Sequence, residues 1–325
     1  MFDNNRVSFQ DRLYNLFTNY NNYTRFATEA WTHEIANADS LESLHDAIHS
    51  IVGSNGHMTY LDYSAYDPSF FLHHAMVDRI FALWQKLYPN SYVEPMLAIE
   101  QTYTIRAEDR KDGNSPLQPF FSGMDRKYWS ANKLRSTETL GYTYPELANN
   151  PSLSTIKAAI NKLYGSSAGS GGLAKRTIIP PKERRAPATD TAEKGDIVAE
   201  EVVDGRYRQY MANILVQKFA LNSSFAIYVF MGDFDDSPEA WALSPNLVGT
   251  HAVFAGITGA VATVNGAKVR MQQKKPVIQV TGTMPLASML VKKVEAGELE
   301  DMSPDVVEDY LEKHLKWRIS LVCCS

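Results

Sequence analysis

The chain has 325 residues, 44% of them hydrophobic and 21% charged, with a net charge of −5. That composition suits a folded globular protein with room for two domains, and the negative balance argues against a nucleic-acid partner, which would need a basic field. No run of about 18 apolar residues appears, so no membrane span is expected; Met1 to Arg6 shows no signal-peptide apolar core, and the expected location is cytoplasmic or cell-wall associated.

A first, helical domain is expected over residues 1–164. Asp39 or Ser40 is a candidate N-cap for a helix carrying His45 and His49, with Glu42 in its first turn. Histidines four apart share one face of a helix. The run Asp67-Pro68-Ser69-Phe70-Phe71-Leu72-His73-His74-Ala75-Met76-Val77-Asp78-Arg79 opens a second helix. Pro68 fits its first turn, where a missing N–H costs nothing. Val77, Ile80, Phe81 and Trp84 then recur at helical spacing, and Trp84 reads as core. Asp78 and Arg79 are either an internal ion pair or an anchor for a neighbouring imidazole.

Five of the eight histidines fall between positions 45 and 74. A lone His-x-x-x-His is most often a surface pair, but here two adjacent histidines follow inside an apolar stretch. Buried imidazoles need partners for their ring nitrogens. A metal on one nitrogen and a hydrogen bond on the other meets that need. Three imidazoles with no thiolate nearby lean toward copper or zinc, held in a bundle core by facing helices.

Residues 165–200 read as a connector, rich in Gly and Ser and then in Pro and basic residues, with Lys175-Arg176 and Arg184-Arg185 as candidate processing points. Residues 201–325 read as a β-rich domain. Met211 to Phe219 and Phe225 to Phe230 are strand-like runs separated by the turn signal Leu221-Asn222-Ser223-Ser224; Val277 to Gly282 is another strand, and Pro304 to Leu315 a helix. The fold class is therefore α + β in two domains, the second β-sandwich-like. The only cysteines, Cys323 and Cys324, are read as tail residues.

Leu44-His45-Asp46-Ala47-Ile48-His49, the stretch from Gly56 to Tyr66, and Asp67 to Arg79 with Trp84-Gln85 closely resemble the copper B half of type-3 copper proteins. These are the tyrosinases, catechol oxidases and molluscan haemocyanins. Gly141-Tyr142-Thr143-Tyr144-Pro145-Glu146-Leu147 resembles the tyrosine motif that closes the catalytic domain of fungal-type tyrosinases, and Asn246 to Ala255 resembles part of their carboxy-terminal domain. The resemblance implies a partial antiparallel four-helix bundle with His45, His49 and His74 as copper B ligands. It makes His73, Asp78, Asp46 and Ser50 their supporting residues, and Phe254 a candidate plug of the copper pocket. His251 is read as a hydrogen-bonded structural histidine.

A complete site of that family holds two coppers. Only the copper B ligands are recognisable in this chain, so it is expected to be truncated before copper A. Phe9 to Phe17 resembles the segment between the two halves. The implied activity is tyrosinase or polyphenol oxidase chemistry: ortho-hydroxylation of monophenols and oxidation of o-diphenols to o-quinones with O2, as in melanin-type pigment formation. The implied partners are a phenolic small molecule and O2, with a partner chain or a protease acting on the linker as further candidates. The alternatives are a catalytically incomplete copper-binding fragment and a haemocyanin-like oxygen binder.

Overall fold

The computed structural model describes residues 2–29, 38–54, 56–99, 101, 104–165, 202–203, 206–207, 210–255, 261–264, 267–270 and 277–321. The basic pairs of the connector, Cys323-Cys324 and His33 lie outside them.

Among its described residues the first domain has five α-helices: α1 (Phe2–Asn19), α2 (Tyr23–Ala27), α3 (Leu41–Gly53), α4 (Pro68–Leu87) and α5 (Leu153–Tyr164). The caps are legible residue by residue. Ser40, rather than Asp39, caps α3 and accepts the Ser43 N–H, with Glu42 in the first turn. Asp67 caps α4, accepting the Ser69 N–H, and Pro68 occupies the first turn. Ser152 caps α5. The long helices close a ring of contacts: α1 against α3 and α5, and α4 against the same two. Leu16, Phe17, Phe26, Leu83, Trp84, Ile156 and Ile160 are fully buried at its centre. Phe26 stacks on Trp84 with centroids 4.4 Å apart, and the Trp84 indole N–H donates to the Tyr20 carbonyl at 2.6 Å, so Trp84 is core. Between α4 and α5 run two short strands, β1 (Met96–Leu97) and β2 (Arg110–Lys111), paired antiparallel.

The second domain begins with the paired short strands β3 (Val202–Val203) and β4 (Arg206–Tyr207). Next come β5 (Met211–Gln217), β6 (Phe225–Met231), α6 (Pro238–Trp241) and β7 (Leu247–Val253). The hairpin strands β8 (Val261–Val264) and β9 (Ala267–Arg270) precede β10 (Gln279–Pro285), α7 (Ala287–Glu295), α8 (Pro304–His314) and β11 (Leu315–Leu321). The turn at Leu221–Ser224 does not make a hairpin of its flanking strands. β5 pairs with β10, whereas β6 lies between β11 and β7. Phe225, Ile227, Val253, Ile278 and Val280 pack between the two sheets, with Ile214 and Val216 against them. That is the sandwich-like layering expected of alternating strands. No helix among the described residues is long and apolar enough to cross a membrane.

β7 is buried along its whole length because it serves two partners. One is its own sheet; the other is the helical domain, where β7 packs on α1 and α3 and β10 packs on α1. Ala252 is part of the helical core. Gly249 lies where a Cβ would fall 2.2 Å from Ser8 Oγ and 2.4 Å from Met284 Sδ, so the absence of a side chain sets how closely β7 approaches α1. This docking carries the chain just beyond β7 onto the histidine cluster.

Candidate metal centre

His45 and His49 stand one turn apart on α3, and His73 and His74 face them from α4. The Nε2 atom of His45 lies 3.1 Å from His49 Nε2 and 3.1 Å from His74 Nε2. The opposite nitrogen of each ring is anchored to an oxygen. His49 Nδ1 donates to the Met58 carbonyl at 2.7 Å, His74 Nδ1 to the Phe70 carbonyl at 2.7 Å, and His45 Nδ1 to Asp46 Oδ1 at 2.8 Å.

Those oxygens decide the tautomers. A carbonyl only accepts, so Nδ1 carries the proton and Nε2 the lone pair. With Asp46 ionised, His45 follows the same pattern, and its Nε2 lone pair then faces those of His49 and His74 at 3.1 Å each, which is repulsive unless a cation sits among them. Burial supports the neutral state. It pushes His49 down to about 4, with the neighbouring imidazoles adding to the effect, and lowers His45 and His74. Neutral imidazoles with their outer nitrogens held are the form in which histidine binds a transition metal. The donor set fits copper or zinc, since imidazole suits both.

The other expected site residues fall in different places. Asp46 is buried and bridges two elements: it accepts from His45 and, through Oδ2, from the Phe254 N–H at 3.3 Å. Burial and the Glu42 carboxylate push its pKa well up, opposed by Lys218 and the Phe254 hydrogen bond. Phe254 lies against His49, stacked with centroids 5.0 Å apart and planes 20° apart. His73 packs beside His45, His49 and His74. Ser50 sits in the last turn of α3, half-buried, its carbonyl accepting the Ser54 N–H. Asp78 turns away from the cluster. Its carboxylate accepts from the Tyr142 hydroxyl at 2.6 Å and the Tyr144 hydroxyl at 2.5 Å, while Arg79 pairs with Glu146. These two residues therefore pin the tyrosine motif to α4 and form no ion pair with each other. Burial, with the Asp78 hydrogen bond and charge, raises Tyr142 to about 12.

Several supporting groups have no signature in the sequence. The Met58 carbonyl is a backbone atom, and its place depends on the turn after α3. The Phe70 carbonyl had a signal, because it lies four residues before His74 on the same helix. A buried polar chain links the two domains beneath the cluster. Arg12 holds Asp39 through two hydrogen bonds of 2.8 Å and Ser43 through one of 2.9 Å. The Ser43 hydroxyl then meets His251 Nδ1 at 3.1 Å. His251 is buried and hydrogen-bonded, as the reading of it as a structural histidine expected. Glu29 is also buried, with Lys218 Nζ at 3.7 Å; burial and the Asp46 and Glu42 charges raise its pKa well above the usual range.

Comparison with known proteins bears on the same regions. Residues 2–87 match the family profile described as the common central domain of tyrosinase, and residues 209–322 match the tyrosinase C-terminal domain. A tyrosinase of Neurospora crassa is 28% identical over 98% of this chain and 58% of its own length. A tyrosinase of Podospora anserina is 29% identical over 86% of this chain and 54% of its own length. Among solved structures, mushroom tyrosinase in its latent and active forms shares the fold, with a TM-score of 0.70 at 23% identity over 98% of this chain and 54% of that one. The chain thus spans about half the length of the curated relatives it matches.

Proposed function

The chain belongs to the tyrosinase family, and from that premise we propose that it supplies the copper B half, together with the carboxy-terminal domain, of an enzyme that oxidises phenols with O2. The observation that carries the reading is the convergence of three imidazoles, with His45 Nε2 3.1 Å from both His49 Nε2 and His74 Nε2 and each ring fixed from behind by an oxygen. His45, His49 and His74 are the residues that would hold copper. When bound, copper supplies the electron transfer between a phenol and O2 that no side chain here performs.

The protein's own residues set the conditions for that chemistry. Asp46 fixes the orientation of His45 and keeps its proton on Nδ1. The Met58 and Phe70 carbonyls do the same for His49 and His74. Phe254 covers the His49 ring and excludes water and substrate from that side. This makes it the shield of a latent state that is relieved when the carboxy-terminal domain leaves. Cleavage at Lys175-Arg176 or Arg184-Arg185 is the proposed trigger. The substrate class is a monophenol or o-diphenol, converted to an o-quinone.

Among the described residues the remaining histidines, His57, His251 and His314, stand apart from the cluster, and the reading places the second triad in polypeptide outside them. Phe71, Leu72 and Met76 support this reading. They stand exposed on α4 beside the histidines, an apolar surface of the kind that another chain segment covers. A haemocyanin-like oxygen binder is less well supported, since the second domain matches the tyrosinase C-terminal profile.

The test is copper per purified chain by elemental analysis, with catechol oxidation assayed on the same sample before and after trypsin. One copper per chain, lost in His49→Ala, is the expected result, with oxidation appearing only when a second triad is supplied. Two coppers and oxidation after trypsin would mean that a second chain already supplies it. A chain that binds no copper would overturn the proposal.

A further inference from the structure

His73 stands beside the triad with its Nε2 atom buried and unpaired. Its ring lies nearly parallel to that of His45, with centroids 4.9 Å apart and planes 23° apart, and edge-on to His49 and His74 at 5.1 and 4.9 Å. With nothing in the protein bonded to it, Nε2 is free to offer a lone pair to a metal. One nitrogen from each of His45, His49, His73 and His74 falls within 4.8 Å of all the others.

From this arrangement we infer that His73 is a fourth ligand, so that this chain by itself holds a single copper ion among four imidazoles. The inference rests on the copper reading above and concerns what the chain does with the metal before a second triad is present. Three arguments support it. A buried nitrogen without a partner costs about 1–3 kcal/mol, and a metal on Nε2 removes that cost. Nitrogens bound to one metal at about 2.0 Å lie roughly 3–4 Å apart, so a shift of about an ångström brings His73 into the set. Copper(II) favours a tetragonal arrangement of nitrogen and oxygen donors, which three imidazoles leave incomplete and a fourth completes.

The consequence is chemical. A site with three protein ligands keeps a position open for a small molecule, whereas four ligands close it. With His73 bound, copper is retained but not presented to substrate. His73 must swing away before the site can accept a phenol or O2.

The full 325-residue chain would be loaded with copper(II) alone and examined by pulsed electron paramagnetic resonance, which counts the imidazole nitrogens coupled to the metal. Wild type is expected to show four and His73→Ala three. Affinity in a chelator competition should fall roughly tenfold or more in that variant, while His57→Ala, outside the cluster, leaves both readouts unchanged. Three coupled nitrogens in wild type would overturn the inference whatever the variants do. So would a His73→Ala protein with the wild-type spectrum and affinity. If His49→Ala weakens binding while His73→Ala does not, only the fourth ligand falls; if neither matters, the copper reading falls with it.

Discussion

Phe254 lies flat on the imidazole of His49, and its peptide N–H donates to Asp46, the residue that fixes His45. One residue of the second domain thus touches two parts of the metal cluster in the first. Phe254→Ala removes the ring but leaves the peptide hydrogen bond. Because Phe254 is buried, the loss should cost about 3–5 kcal/mol where the site does not collapse. It should also let a chelator reach the metal sooner. Stopped-flow absorbance of a coloured chelator on copper-loaded protein measures this, and an unchanged release rate would show that Phe254 packs there without shielding anything.

Arg12 and Asp39 form an ion pair from which both side chains are wholly excluded from solvent. Breaking a buried pair leaves one charge uncompensated and typically costs about 3–5 kcal/mol. Arg12→Ala should lower the urea midpoint by a corresponding amount. Arg12→Met combined with Asp39→Leu should lose less than the sum of the single changes, because it removes both charges together. Additive losses would mean that the pair is not coupled.

Much of this arrangement was legible in the sequence, and the limits have physical causes. His45, His49, Pro68 and the cap candidates Asp39 or Ser40 are local signals: helical spacing, a ring that tolerates only the first turn, a side-chain oxygen before a helix. They needed no knowledge of the rest of the chain. The pairing of β5 with β10 across more than sixty residues had no such signal, because strand alternation specifies a face and not a partner. Asp78 was read as a support for an imidazole or an ion-pair partner of Arg79. The tyrosine motif some sixty-five residues later engages its carboxylate, a contact that no local spacing announces. The chain from Arg12 to His251 was invisible because each member is unremarkable until the two domains dock.

Gly282 tests how tightly that docking is packed. A Cβ there would fall 2.4 Å from His251 Nδ1 and 2.5 Å from Cε1. The ring is buried on all sides and held by Ser43, so it cannot retreat. Gly282→Ala should destabilise by about 1–3 kcal/mol through overpacking and make the connector more sensitive to trypsin. Gly123→Ala is the control, since its nearest contact would be 3.6 Å away. A melting temperature shift equal in the two variants would refute the close contact.

His251 also gives the domain interface a pH dependence. Burial, with the charge of Arg12, pushes its pKa down to about 4, from 6.5 when exposed. The groups facing it are Arg12, Asp39 and Ser43 from the helical domain. Between those two values the unfolded chain binds a proton that the folded chain refuses, so stability rises with pH. The contribution is complete above about 6.5 and is lost as the pH falls toward about 4. Buried Glu29 and Asp46 act in the opposite sense, because their raised pKa values favour the folded state where they are protonated. The wild-type profile mixes these effects, and a comparison isolates one. Relative to His251→Gln, wild type should lose about 3 kcal/mol of its advantage between about pH 7 and pH 4. Urea unfolding of metal-free protein at both pH values measures the difference, and a gap that stays constant would mean that His251 titrates in the folded protein as it does in water.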